Sequence, residues 1–174
     1  MQQKKIYHVL KWGIYLLLVL FCYVLQTTTS LFVVFGVKPL LLVPLVVCIA
    51  MFEGEFSGAI FGALAGLYCD LGAGQLFGSN GLVLMLCCFA AGLLVHVLMR
   101  PTLTTCLILS GGTLVVRGFF DFFFNLALWD YDGISRILLT SILPVILYSL
   151  IVTPLFYYFI RKLSNRFVEL LAVE

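Results

Sequence analysis

The sequence predicts an all-α integral membrane protein, a bundle of six transmembrane helices in one polytopic domain. Of its 174 residues, 63% are hydrophobic and only 10% are charged, whereas roughly a quarter of residues are charged in ordinary soluble domains. Mean hydropathy is high, at +1.18. A span needs about 20 apolar residues, so a chain of this length holds about six. The apolar runs place them at about 9–26, 31–52, 55–71, 81–99, 102–128 and 136–160, before a tail at 161–174.

The first span follows a basic segment, and the second is interrupted by a charge. Lys4, Lys5 and Lys11 precede the apolar run, and no small-residue cleavage site follows it, so we expect a retained helix rather than a signal peptide. Lys38-Pro39 leaves two placements of the second span open. It runs through 31–52, or it begins at Pro39, a residue suited to a first helical turn, after an interfacial or re-entrant piece at 31–37.

The third span carries glycines at a helical repeat. Gly54, Gly58, Gly62 and Gly66 lie four residues apart, so on a helix they share one face that lacks side chains. Lipid tails give apolar surfaces no reason to prefer each other, and such faces let membrane helices make close van der Waals contact. We therefore predict a close helix–helix contact along this face.

Acidic residues stand at both ends of the third span. Glu53 and Glu55 are interpreted as first-turn residues that complement the helix dipole. Asp70 is different, because a carboxylate near the carbonyl end of a helix opposes the dipole. Two interpretations stay open: Asp70 caps the turn at 71–74, or it pairs with a cation on another helix or subunit.

The fifth span contains three polar residues on one face, Arg117, Asp121 and Asn125. Charged residues inside a span are costly and usually have a partner. An internal bridge from Arg117 to Asp121 is the simplest interpretation. A partner on another helix also stays open, because this order of charges is the poorer one for an i,i+4 pair.

The tail at 161–174 has an apolar face and a basic face. Leu163, Phe167, Leu170 and Leu171 share one side of a helix. The tail is either a helix resting on the cytoplasmic membrane surface or on another protein, or a continuation of the last span.

Basic residues orient the bundle. In a six-helix arrangement seven of them share one side, and only Lys38 and Arg136 fall on the other. The positive-inside rule then places both termini in the cytoplasm. The seven are Lys4, Lys5, Lys11, Arg100, Arg161, Lys162 and Arg166.

Few residues suggest chemistry. The sequence lacks a Gly-rich phosphate loop, a nucleophile triad motif and a zinc-binding H-E-x-x-H helix. Its six cysteines lie in apolar segments without metal-ligand spacing, and a net charge of +2 spread along the chain does not suit nucleic acid. We expect no enzyme activity, no metal and no cofactor. The lipid bilayer is expected to surround the chain.

The glycine and aspartate pattern resembles the rod shape-determining MreD family. Its order in this chain is a proline that opens a helix, then G-xxx-G-xxx-G-L-xx-D-L, then two further glycines that open the next span. The resemblance implies structural or interface roles, not catalytic ones, for these positions. They are Pro39, Gly54, Gly62, Gly66, Asp70, Gly78 and Gly81, with Gly58 on the same glycine face.

The resemblance also implies partners and a rival function. It implies a non-catalytic inner-membrane component of the bacterial elongation machinery that binds MreC and, through it, is linked to the peptidoglycan synthase pair and the MreB cytoskeleton. The family's six-helix fold is similar to that of the substrate-binding subunits of energy-coupling-factor vitamin transporters. The alternative is therefore a substrate-binding subunit of a small-molecule transporter, although the predicted exterior loops offer few polar groups for a pocket.

Overall fold

Six helices make up the part of the chain that the structure describes. The structure is a computed structural model, and it describes residues 2–28, 39–73, 78–123 and 143–172. The helices are α1 (Gln2–Thr28), α2 (Leu42–Glu53), α3 (Glu55–Ala73), α4 (Ser79–Val97), α5 (Leu103–Phe122) and α6 (Leu143–Ala172). These described ranges contain no strand, which confirms the predicted all-α class.

Four described helices are long and apolar enough to cross a membrane. Helix α3 is of similar length, with 19 residues, and carries two carboxylates, Glu55 and Asp70. By length and composition, the four candidate spans are Val9–Thr28, Ser79–Val97, Leu103–Asp121 and Leu143–Phe167.

Helix α2 is the centre of the bundle. Every residue from Leu42 to Met51 is buried, and α2 contacts each of the other five helices. Those five surround it in the order α3, α4, α5, α6 and α1, each touching the next. With 12 residues, α2 is about 18 Å long, shorter than a bilayer core of about 30 Å. It is a core helix that the ring of longer helices encloses.

The start of α2 differs from both sequence-based placements. Residues 31–38 lie outside the described residues, Pro39 is buried but not helical, and the helix begins at Leu42. Backbone N–H groups at and just before its start find acceptors on other helices. The Leu40 N–H donates to Ser149 Oγ of α6 at 2.9 Å, and the Leu42 N–H donates to Gln26 Oε1 of α1 at 3.4 Å. Buried backbone donors need such partners, especially in a membrane.

The last helix decides between the two interpretations of the tail. Helix α6 is continuous from Leu143 to Ala172, with Pro154 inside it. Ser164 and Phe167 are buried against the rest of the bundle. This part of the tail therefore continues the last helix and packs within the bundle.

Candidate functional site

The glycine face of α3 packs against α4. A Cβ built on Gly62 would lie 2.7 Å from the backbone oxygen of Leu84, and one on Gly66 would lie 2.5 Å from the Cα of Gly81. A Cβ on Gly58 would meet Ala50 of α2 and the backbone of Cys88. The close helix contact that the spacing predicts is present, and the chain's own helices fill it.

Gly54 is not on the helical face of α3, although its carbonyl carbon would lie 3.0 Å from a Cβ built on Gly92 of α4. It lies between α2 and α3, where its φ of +90° ends α2, and a Cβ built there would meet nothing within 4 Å. The prediction of four glycines in one groove is wrong at this position, because the helix breaks there. Gly78 has a similar conformation, with φ +99°, directly before α4. Both positions favour glycine because other residues rarely adopt a positive φ.

Asp70 caps the start of α4 from inside α3. Its side chain is buried and accepts backbone N–H bonds from Gly78 at 2.9 Å, Asn80 at 3.3 Å and Gly81 at 3.3 Å. The Asn80 side-chain amide donates a fourth bond at 2.9 Å. These N–H groups have no partner within their own helix, so the carboxylate both satisfies them and gains from the positive end of the α4 dipole.

Arg117 of α5 extends this network. Its Nε donates to Asn80 Oδ1 at 3.0 Å, and its guanidinium lies 3.5 Å from the carboxylate of Asp121. Arg117 and Asn80 are buried, whereas the Asp121 side chain is 32% exposed. The four residues Asp70, Asn80, Arg117 and Asp121, here called the Asp70 cluster, join three helices.

Some of the sequence-based predictions for the Asp70 cluster are confirmed and others are wrong. The bridge from Arg117 to Asp121 is confirmed, and Arg117 also has a partner on another helix. The proposed cap of 71–74 is wrong, because α3 remains helical through Ala73 and the capped groups belong to α4. Among the described residues Asp70 forms no ion pair, so the alternative of a cation on another helix is wrong as well; the Asn80 side chain stands between Asp70 and Arg117. Asn125 lies outside the described residues.

A second buried cluster surrounds Glu53. The Lys11 ammonium of α1 lies 2.7 Å from Glu53 Oε2, the Tyr15 hydroxyl donates to Oε1 at 2.8 Å, and the Ser164 hydroxyl of α6 donates to the same oxygen at 3.1 Å. The Glu53 side chain is 13% exposed. Lys11, Tyr15, Glu53 and Ser164, here called the Glu53 cluster, join α1, α2 and α6.

The interpretation of Glu53 as a first-turn residue is wrong. Glu53 is the last residue of α2, whereas Glu55 does occupy the first turn of α3, within 3.6 Å of His96 Nδ1. At the end of α2 the dipole opposes the carboxylate, and Lys11 compensates. The signal in the sequence was Gly54, since glycine commonly ends a helix. Nothing in the spacing pointed to Tyr15, Ser164 or Asn80 as partners.

The two clusters lie at opposite ends of the bundle. Asp70 follows the start of α3 at Glu55 by 15 residues, which corresponds to about 22 Å along a helix. Both clusters tie helices together through charge-assisted hydrogen bonds. Among the described residues, no group of three or more His, Cys, Asp or Glu side chains could hold a metal ion.

The fold and the clusters define a class: a polytopic α-helical membrane protein whose buried charges connect its own helices. The family comparison makes this specific. The model of the rod shape-determining protein MreD matches residues 7–167, nearly the whole chain, so the chain belongs to the MreD family. Membership gives it a role in rod shape determination. Comparison with curated proteins and with solved structures gave no significant match.

Proposed function

We propose that this protein is a non-catalytic membrane scaffold of the rod-shape machinery that binds MreC. Through MreC it connects to the peptidoglycan synthase pair and the MreB cytoskeleton, and so helps to organise lateral wall synthesis. The observation that carries the proposal is that the buried charges of both clusters are engaged by the chain's own helices. They fix the bundle's shape, which is what a scaffold requires.

The same observation favours a scaffold over the transporter alternative. A small-molecule site presents convergent polar groups toward the ligand. Among the described residues, every buried side-chain nitrogen or oxygen already has a hydrogen-bond partner in the protein. These groups are used for internal structure.

The partner surface proposed here is an outward apolar face rather than the glycine face. The glycines of α3 are covered by α4 and α2, so a transmembrane helix of MreC has no access to them. Large apolar side chains cover the outer faces instead, as Leu17 and Phe21 do on α1 and Ile108 and Phe119 do on α5. The glycine face therefore acts indirectly, by setting the positions of these outer faces.

The distribution of charge supports a location in the inner membrane with both termini cytoplasmic. Lys11, Arg161, Lys162 and Arg166 belong to the helix segments at the Glu53 end of the bundle, together with Arg100 after α4. The positive-inside rule assigns this end to the cytoplasm.

Capture from a native membrane tests the proposal. The tagged chain is purified in mild detergent from rod-shaped cells in which it is the sole copy, and the bound proteins and small molecules are identified by mass spectrometry. We expect MreC in near-stoichiometric amount, and loss of rod shape when the chain is depleted. A stoichiometric vitamin-like molecule with no MreC would overturn the proposal in favour of the transporter.

A further inference from the structure

Helix α1 contacts the bundle along one narrow face. Its buried residues recur every three or four positions, as Lys11, Tyr15, Val19 and Cys22. The opposite side is exposed along the same length, with Leu17 66% exposed. This pattern is that of a peripheral helix that rests against a core.

The attachment of α1 divides into an apolar part and a polar part. The apolar part consists of ring contacts with α3. The ring centroid of Phe61 lies 5.6 Å from that of Trp12 and 5.9 Å from that of Tyr15. Tyr23 stacks on Tyr68, with 5.1 Å between the ring centroids. The polar part is the Glu53 cluster, in which one carboxylate receives both Lys11 and Tyr15. The polar part supplies the ion pair between α1 and α2, whereas the hydrogen bond from the Leu42 N–H to Gln26 Oε1 joins the same two helices at their other ends.

Lys11 makes this attachment conditional on Glu53. It is 7% exposed, and Glu53 is the carboxylate within ion-pair distance of it among the described residues. A buried ammonium without a counter-charge is costly. Lysine has a long flexible side chain that can extend to water. Without its counter-charge, the Lys11 ammonium is therefore more stable when it is hydrated at the end of the bundle. Because Lys11 is buried, α1 must move to allow this.

The contact between α3 and α4 along the glycine face, here called the α3–α4 seam, is built differently from the attachment of α1. There, backbone approaches backbone at Gly62 and Gly66, and Cys88 is fully buried beside Gly62. The charge beside that contact is Asp70, which lies at the opposite end of the bundle from Glu53, so the contact at Gly62 and Gly66 does not depend on Glu53. A substitution at Glu53 can therefore loosen α1 while the α3–α4 seam stays closed.

We infer that Glu53 is a latch that holds α1 on the bundle, so that α1 can leave α2 and α6 while the α3–α4 seam stays closed. Glu53 is a positioning residue in this device: it acts by compensating Lys11 and binding Tyr15. The inference rests on the contacts of α1 and does not depend on which partner the protein binds.

Amine labelling tests the latch. Full-length protein in detergent is treated with a water-soluble amine-reactive ester, and modification of Lys11 is followed by mass spectrometry. The exposed Lys162 serves as an internal reference for reagent activity. Reaction of Cys88 with N-ethylmaleimide reports opening of the α3–α4 seam. The matched control is Glu55→Gln, which removes the neighbouring carboxylate that pairs with the exposed His96.

In Glu53→Gln we expect Lys11 to label at least about tenfold faster than in the wild type while Cys88 remains protected. Glu55→Gln should leave both rates unchanged. The latch is refuted by a wild-type Lys11 rate in Glu53→Gln. It is equally refuted if Cys88 opens together with Lys11, or if Glu53→Gln yields no folded protein while Glu55→Gln does, because the cluster would then hold the whole fold.

Discussion

A single methyl group at Gly66 should loosen the bundle at the Asp70 cluster. A Cβ at this position would lie 2.5 Å from the Cα of Gly81 and 2.6 Å from the carbonyl carbon of Asn80. Both are backbone atoms, which cannot rotate away. Carbon atoms in contact prefer separations of about 3.5–4.0 Å, so α4 must shift by roughly 1 Å to accept Gly66→Ala. Asn80 and Gly81 are also the residues that donate to Asp70.

The magnitude follows from two opposing effects. Overpacking by one methyl group costs about 1–3 kcal/mol, and displacing one hydrogen bond to Asp70 adds about 1 kcal/mol. Alanine regains about 1 kcal/mol of helix propensity relative to glycine. Gly66→Ala should therefore lower the free energy of unfolding by about 1–3 kcal/mol. Gly112 of α5 is the matched control, since a Cβ there meets nothing within 4 Å, and Gly112→Ala should be neutral or stabilising by up to about 1 kcal/mol.

Unfolding of the purified variants in a detergent titration measures this difference. The helix-propensity gain is common to both variants, so their separation reports the packing term, about 2–4 kcal/mol. Equal stability of Gly66→Ala and Gly112→Ala would show that α4 does not approach α3 closely, and the reasoning would fail.

Three further predictions concern the charged residues and the orientation of the bundle. Asp70→Asn should reduce stability and MreC capture nearly as much as Asp70→Ala. Both carboxylate oxygens of Asp70 accept hydrogen bonds, whereas an amide offers only one acceptor atom. Wild-type capture of MreC by the Asn variant would contradict this. Arg117→Gln should destabilise the protein by up to about 3 kcal/mol in the same titration, because it breaks a largely buried ion pair, and an unchanged midpoint would exclude a structural role for the pair. A cysteine introduced at Ser79 should react with an impermeant thiol reagent on intact cells, and one at Lys162 only after lysis; the reverse pattern would invert the proposed topology.

Local and additive properties of the sequence determined the class of protein. Hydropathy sums along the chain, so composition alone predicted an all-α membrane bundle, and the repeat of glycines in α3 predicted a close helix contact. The i,i+4 bridge from Arg117 to Asp121 was equally predictable, because both residues belong to one helix. The motif from Pro39 to Gly81 pointed to the MreD family, which the family model confirms.

Tertiary structure alone decided which residues meet across helices. Tyr15 and Ser164 are 149 residues apart in sequence but bind one oxygen of Glu53, and Asn80 stands between Asp70 and Arg117. Such contacts depend on how far each helix is shifted and rotated against its neighbours, and no local spacing records that. The central burial of α2 is of the same kind: its composition resembles that of a short span, and only the ring of five helices around it makes it the core.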